Sequence, residues 1–192
     1  MTKLAKFFYR FLYWLTPWWY GLTQTFTRKK RYPEVKEYAS ANEIPAAINW
    51  GRSWRADPWK GILDVQMSPR KFQKHLDDGA PSGDCDDHAL YWCTALLRNG
   101  LAERAWLATV WYSKPDGSGK EGHVVCVFEV PSGGDFLWAD YRAPRRFKGD
   151  WGWALDLADS RGKIVHAAGL IEVKLRKSGE PKLCKKVKTF IA

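Results

Sequence analysis

A helical pattern of apolar side chains begins in the middle of the chain, directly after a Gly-Asp turn. The apolar positions recur at helical spacing: Cys85, Ala89, Trp92, Cys93 and Leu96. Asp84 can cap this predicted helix, and Asn99-Gly100 supplies its stop signal. Cys85 therefore falls in the first helical turn, where backbone N–H groups and the helix dipole favour a thiolate over a thiol.

After Gly100 the periodicity changes from helical to extended. The pattern predicts strands at residues 105–113, 123–130, 135–141, 163–165 and 170–177. A hairpin turn at 131–134 joins the second strand to the third. A helical layer followed by a run of antiparallel strands is an α+β pattern.

Less regular structure is expected elsewhere. Ser68-Pro69 predicts the start of a short helix that stops at Gly79. Residues 32–67 are expected to be a loop that drapes over the domain. Residues 142–162 are expected to be irregular, and the chain is expected to end in a basic tail.

The first 31 residues are aromatic and contain seven Lys or Arg and no acid. Their uncharged run at 11–27 is slightly short for a bilayer span, which takes about 20 apolar residues, and Pro17 interrupts it. Three interpretations stay open: an interfacial anchor or partner-docking segment, a segment packed on the protein's own core, and a transmembrane helix. No signal-peptide cleavage site follows. We therefore divide the chain into this segment, 1–31, and a domain at 32–192.

The net charge of +10 is concentrated at the two ends of the chain. Residues 32–173 carry 17 basic and 20 acidic side chains. Because a nucleic-acid groove would place basic residues in the folded middle, nucleic acid is not an expected partner. Basic ends suit an anionic membrane surface or a larger acidic assembly.

The four cysteines lack the spacing of a zinc site or of a disulfide framework. Cys93 and Cys126 lie in apolar periodic segments, which predicts buried small hydrophobic residues. The absence of a disulfide framework favours a reducing compartment such as the cytoplasm.

A cysteine nucleophile needs a base and a group that orients the base. His75 and His166 are expected to be structural or solvated, and His88 lies one turn after Cys85 on the same helix. His123 opens a predicted strand. The hairpin register places Asp140 diagonally across from His123 on the same sheet face, where it could hold the imidazole in one tautomer.

Three segments carry these residues in the order Cys, His, Asp: GDCDDHA, GHVVCVF and LWADY. Over about residues 50–145 the sequence resembles bacterial transglutaminase-like cysteine proteinases, particularly small phage-encoded members. The resemblance implies a papain-like α+β fold in which the helix bearing the nucleophile packs on an antiparallel sheet. It also implies Cys85 as nucleophile, His123 as general base and Asp140 as orienting carboxylate.

The implied function is hydrolysis of protein or peptide amides through a thioester intermediate. Two alternatives stay open: a transamidase, and a non-catalytic docking protein of a membrane or virion assembly. No cofactor is required. In the family, acidic residues beside the cysteine can help bind calcium, which makes Asp84 and Asp86 candidate ligands, although calcium takes six to eight oxygens.

An oxyanion hole would use the Cys85 backbone N–H and one side-chain donor. The candidates for that donor are Gln66, Gln73, Trp54 and Trp59. Three aspartates near Cys85 oppose thiolate formation, so the predicted activation depends on His123.

Overall fold

The structure is a computed structural model that describes residues 3–27, 32–48, 66–81, 83–131 and 133–191. Within them the helices are α1 (Lys3–Thr27), α2 (Glu43–Ile48), α3 (Pro69–Asp77), α4 (Cys85–Arg98) and α5 (Gly152–Asp159). The strands are β1 (Arg104–Ser113), β2 (Glu121–Glu129), β3 (Phe136–Ala139), β4 (Arg145–Arg146), β5 (Ile164–Leu175) and β6 (Pro181–Ile191). These strands form one antiparallel sheet in the order β4-β3-β2-β1-β5-β6.

Helix α4 is the centre of the core. Its side chains are buried continuously from Asp86 to Leu96, and it packs against β1, β2 and β5. A helix that is buried on all sides needs apolar residues around its whole circumference, and Leu90 and Trp92 supply them. The expected α+β fold, with the cysteine-bearing helix on an antiparallel sheet, is confirmed.

Helix α5 covers the opposite face of the sheet. Trp153 and Leu157 pack there with Val110, Val127 and Trp138 from three different elements. The sheet is therefore enclosed between two helical layers, with α4 on one face and α5 on the other.

Helix α1 packs along β6 and the neighbouring part of β5. Pro17, Tyr20 and Thr23 are buried, and Tyr20 joins the core on the α4 side of the sheet. This face of α1 fits the interpretation of a segment packed on the protein's own core. Among the described helices, none combines the length and the hydropathy needed to cross a bilayer.

The predicted hairpin register is confirmed. Cys126 lies opposite Ala139 and Glu129 lies opposite Phe136, as the turn at 131–134 required. Strand β3 ends at Ala139, two residues earlier than predicted, so Asp140 lies just beyond the ladder.

The expectation of irregular structure at 142–162 is wrong, because β4 and α5 both lie there. Helix α5 lacks the usual start signals: Trp151 at its N-cap makes no side-chain capping bond to the described residues, and Gly152 is a poor helix former. Burial of Trp153 against the sheet stabilises a helix whose local sequence does not predict it.

The end of the chain also differs from the expectation. A single strand, β5, replaces the two predicted at 163–165 and 170–177, and β6 occupies the predicted basic tail. Strand β6 lies at the sheet edge, where lysines such as Lys182 and Lys188 are exposed and discourage pairing with other chains. The same lysines obscure the strand pattern in the sequence.

Two further predicted segments precede α4 in the chain. The short helix predicted after Ser68 is present as α3, and the Ser68 hydroxyl accepts a hydrogen bond from the Lys71 N–H at 3.4 Å. The loop expected at 32–67 contains α2, whose first turn tolerates Pro45. Residues 49–65, with Trp50, Trp54 and Trp59, lie outside the described residues.

We expect Trp153→Ala to lower the free energy of unfolding by about 3–5 kcal/mol, because it removes a fully buried ring from the α5 face of the sheet. Leu155→Ala on the same helix is the matched control, since Leu155 is exposed. Urea denaturation followed by circular dichroism measures both variants. Equal stabilities would contradict this account of α5.

Candidate active site

Cys85 is the first residue of α4 and is half-buried, with a sulfur that is in no disulfide bond. Asp84 occupies the N-cap position, but its side chain makes no capping hydrogen bond to the described residues, so the predicted capping role is wrong. The backbone still enters the helix at this point, since the His88 N–H donates to the Asp84 carbonyl at 3.1 Å.

Side-chain packing fixes the start of α4 instead. The Asp87 carboxylate accepts a hydrogen bond from the Met67 N–H, which ties the first turn to the segment before α3. Gly83 lies against the same carboxylate, and a Cβ at that position would overlap it. Asp87 therefore restrains the helix start from inside the core, whereas a capping side chain would do so from outside the helix.

Three aspartates form an acidic cluster at this helix start. Asp84, Asp86 and Asp87 each place one carboxylate oxygen within 4.8 Å of the others, and Asp86 and Asp87 are buried. Oxygen donors of this kind suit calcium, and three are half or fewer of the six to eight that calcium takes. The sequence pointed to Asp84 and Asp86, and the structure adds Asp87.

His123 and Asp140 are in contact, as predicted. The His123 Nε2 and the Asp140 Oδ1 are 3.2 Å apart, and the imidazole is buried at the start of β2. Asp140 directly follows β3. Because Nε2 is engaged by the carboxylate, Nδ1 is the ring nitrogen left to exchange a proton with another group.

Arg161 holds the other side of the carboxylate and was not foreseen. Its Nη2 lies 3.5 Å from the Asp140 Oδ2, and its Nη1 donates to the Tyr112 hydroxyl at 2.8 Å. Arg161 follows α5, so the second helical layer contributes to the orientation of Asp140. Nothing in the local sequence distinguishes it from the other arginines at 142–161.

Tyr141, the last residue of the LWADY segment, links the parts of the site. Its hydroxyl is 3.4 Å from the His123 Nε2, and its ring centroid lies 5.5 Å from that of His123. On the other side its ring meets His88 of α4 edge-on at 6.1 Å. Tyr141 therefore bridges the sheet and the helix that bears the cysteine.

Cys85 lies within electrostatic range of this cluster. Burial is the main reason that the pKa of Tyr141 is raised, and the charges of Asp140 and Cys85 add to the increase. Burial also raises the pKa of Tyr112 to about 12, with a smaller contribution from the Cys85 charge.

His123 and Cys85 belong to different sides of the sheet. By strand alternation His123 shares the face of Val125 and Val127, which pack under α5, whereas Cys85 packs with the core around α4. A β-bulge in the β1–β5 pairing at Trp111 and Tyr112 increases the local twist at this end of the sheet. A contact between the Cys85 thiol and the His123 imidazole would therefore form around the end of the sheet where β2 begins.

His88 is unsuited to act as the base. Its imidazole is buried against Phe72, with ring centroids 4.8 Å apart. Burial lowers the pKa of His88 to about 3, so it stays neutral at physiological pH.

The two remaining histidines have structural contacts, as expected. The Nδ1 of His75 is 2.9 Å from the Pro81 carbonyl oxygen. The Nε2 of His166 is 2.7 Å from the Ser113 hydroxyl. His123 is thus the histidine that pairs with a carboxylate among the described residues.

The candidate side-chain donors for the oxyanion hole differ in their hydrogen bonds and in whether the structure describes them. Gln73 is committed to a polar cluster, since its amide donates to Asp77 at 2.8 Å and its carbonyl accepts from the Tyr91 hydroxyl. The Gln66 amide donates to the Asp86 carbonyl at 3.3 Å, one residue from the cysteine. Trp54 and Trp59 lie outside the described residues.

Two of the other cysteines lie in the core. Cys93 and Cys126 are fully buried, as predicted, and their sulfur atoms are 3.2 Å apart between α4 and β2. Burial raises the pKa of the Cys126 thiol well above its ordinary value. All four cysteines of the chain are described, and each is a free thiol.

No protein-family model and no curated protein matches the sequence. A structure of EGTA-treated LapG from Legionella pneumophila is similar, with 18% sequence identity and a TM-score of 0.41 over 79% of this chain and 72% of that one. An identity and a TM-score this low assign neither a family nor a function. A proposal about the function therefore rests on the geometry of the site.

We expect the free energy of unfolding to fall by about 2 kcal/mol between pH 7 and pH 5 because of His88 alone. The folded-state pKa of about 3 lies below the usual value of 6.5, so this stability is present above pH 6.5 and is lost towards pH 3. Urea denaturation of the wild type and His88→Gln at both pH values measures the contribution.

The His88→Gln variant should lose that part of the pH dependence. His75→Gln controls for the removal of an imidazole from the surface of α3. A wild-type slope retained in His88→Gln would show that His88 is not the titrating group.

Proposed function

We propose that the protein is a cysteine-dependent hydrolase of protein or peptide amide bonds, with Cys85 as nucleophile, His123 as general base and Asp140 as the group that orients the base. The observation that carries this proposal is the 3.2 Å contact between the His123 Nε2 and the Asp140 Oδ1. It pairs the one suitable imidazole of the described residues with a carboxylate that Arg161 holds from behind.

In the first step the Cys85 thiolate attacks the carbonyl carbon of the amide. The C–N bond breaks, and the imidazolium of His123 gives its Nδ1 proton to the leaving amine. The products of this step are the free amine, neutral His123 and a thioester on Cys85.

In the second step water resolves the thioester. His123 takes a proton from water as the water oxygen attacks the thioester carbon, and the C–S bond breaks to release the carboxylic acid. The thiolate and the imidazolium are restored. Asp140 stabilises the imidazolium in both steps without itself becoming protonated.

The negative oxygen that forms in both steps needs hydrogen-bond donors. Cys85 is the first residue of α4, and the N–H groups of a first helical turn make no hydrogen bond within the helix. Gln66 lies next to this turn, but it is fully buried and its amide donates to the Asp86 carbonyl. We propose the Cys85 backbone N–H as a donor of the oxyanion hole.

A cavity next to the His–Asp pair gives room for a substrate. It has a volume of about 230 Å³ and is lined by Asp140, Tyr141, Arg142 and Arg161, among others. A substrate side chain bound there would lie beside the carboxylate that orients the proposed base.

The proposed reaction draws on no metal. Calcium enters only as a ligand of the acidic cluster Asp84, Asp86 and Asp87, where its charge would offset three carboxylates close to the thiolate. Calorimetric titration with calcium chloride tests this directly. Heat that is absent in Asp84→Asn would support a calcium site, and a titration of the wild type without heat would remove it.

The catalytic pair is tested by alkylation of Cys85 with iodoacetamide as a function of pH, followed by mass spectrometry of the peptide that carries it. In the wild type we expect thiolate reactivity to persist well below pH 8.5, the ordinary pKa of a free cysteine. His123→Ala should move the midpoint upward, because the partner charge is lost. A midpoint that His123→Ala leaves unchanged would exclude the pair.

His75→Ala is the control, because it removes an imidazole from the surface of α3. Hydrolysis of a fluorescent casein substrate provides the second measurement. We expect Cys85→Ala to abolish hydrolysis and Asp140→Asn to lower kcat by several orders of magnitude. Full activity of Cys85→Ala would overturn the proposed function.

A further inference from the structure

The outer face of α1 exposes large apolar side chains along the whole helix. Seven of them recur at helical spacing: Leu4, Phe7, Phe8, Phe11, Trp14, Trp18 and Leu22. Their exposed fractions run from 38% at Leu22 to 77% at Leu4. Soluble proteins rarely leave so large an apolar patch in water unless it contacts a partner or a membrane.

The opposite face of α1 is already occupied. Pro17, Tyr20 and Thr23 are buried, and the helix packs along β6. The helix is about 37 Å long, the length of 25 residues at 1.5 Å each, and its described buried positions lie between 17 and 23. The outer face can contact a surface that lies parallel to the helix.

Charge distinguishes between the partners that could cover this face. The first 31 residues contain seven Lys or Arg and no acid, and four of these cations follow α1 directly in the sequence at 28–31. A second copy of the chain would bring two such segments together, and their like charges would repel. An anionic surface is attracted to them instead.

The apolar residues themselves favour a lipid interface. Five of the seven are Phe or Trp: Phe7, Phe8, Phe11, Trp14 and Trp18. Aromatic rings of this kind concentrate at the boundary between headgroups and hydrocarbon, where an amphipathic helix lies in the plane of the bilayer.

We propose that the outer face of α1 docks the protein flat onto an anionic membrane surface. The exposed aromatic side chains enter the headgroup boundary, and the positive charge of the N-terminal segment attracts the anionic lipids. Docking of this kind uses none of the proposed catalytic groups, so it stands or falls independently of the hydrolase function.

The test is co-sedimentation of the full-length protein with vesicles of phosphatidylcholine alone or mixed with phosphatidylglycerol. We expect the protein to bind the anionic vesicles and to bind the neutral ones more weakly. We also expect 0.5 M salt to release the protein from the anionic vesicles, because the Debye length is then only about 4–5 Å. The double variant Trp14→Ser, Trp18→Ser should bind the anionic vesicles about tenfold or more weakly, because two interfacial rings are lost.

Leu155→Ser is the matched control, since Leu155 is an exposed apolar residue on α5 at 56% exposure. It should bind vesicles as the wild type does. Circular dichroism should show unchanged folding of all variants, because the substituted side chains are exposed.

Three results would overturn the proposal. They are failure of the wild type to bind either vesicle, equal binding by the wild type and the double variant, and light scattering that shows a dimer dependent on Trp14 and Trp18 in protein that does not bind vesicles. The last result would assign the face to a second copy of the chain.

Discussion

The burial of α4 against the sheet is the constraint on which the other features depend. Because α4 is buried from Asp86 to Leu96, neither its axis nor its rotation can change without opening the core. Cys85 begins this helix, so the packing of the eleven buried residues behind it restrains the position of the thiol. The Asp87 carboxylate, bonded to the Met67 N–H, adds a restraint at the same end.

The carboxylate of Asp140 joins the two helical layers. One oxygen lies against His123 of β2, and the other faces Arg161, which follows α5. Arg161 gives the carboxylate of a residue just beyond β3 a second partner besides His123, and it makes the α5 layer part of the site.

Turn and periodicity patterns in the sequence predicted the elements that interactions between sequence neighbours determine. The turn at 131–134 fixes the register of β2 and β3, and that register alone placed Asp140 near His123. The start of α5 and the strand β6 depend instead on tertiary contacts: Trp151 supplies no cap, and edge lysines interrupt the pattern of β6. Arg161 could not be predicted, because its partner Tyr112 lies 49 residues earlier and on a different element.

The electrostatic setting of Cys85 explains why the proposed nucleophile would need a partner. The acidic cluster at the start of α4 disfavours a second negative charge, which opposes the effect of the helix dipole. Tyr112 and Tyr141 add no charge, because their raised pKa values keep both hydroxyls protonated at neutral pH. Under the proposal the imidazolium of His123 is the positive group available to the thiolate, so the predicted reactivity depends on the pair and not on the cysteine alone.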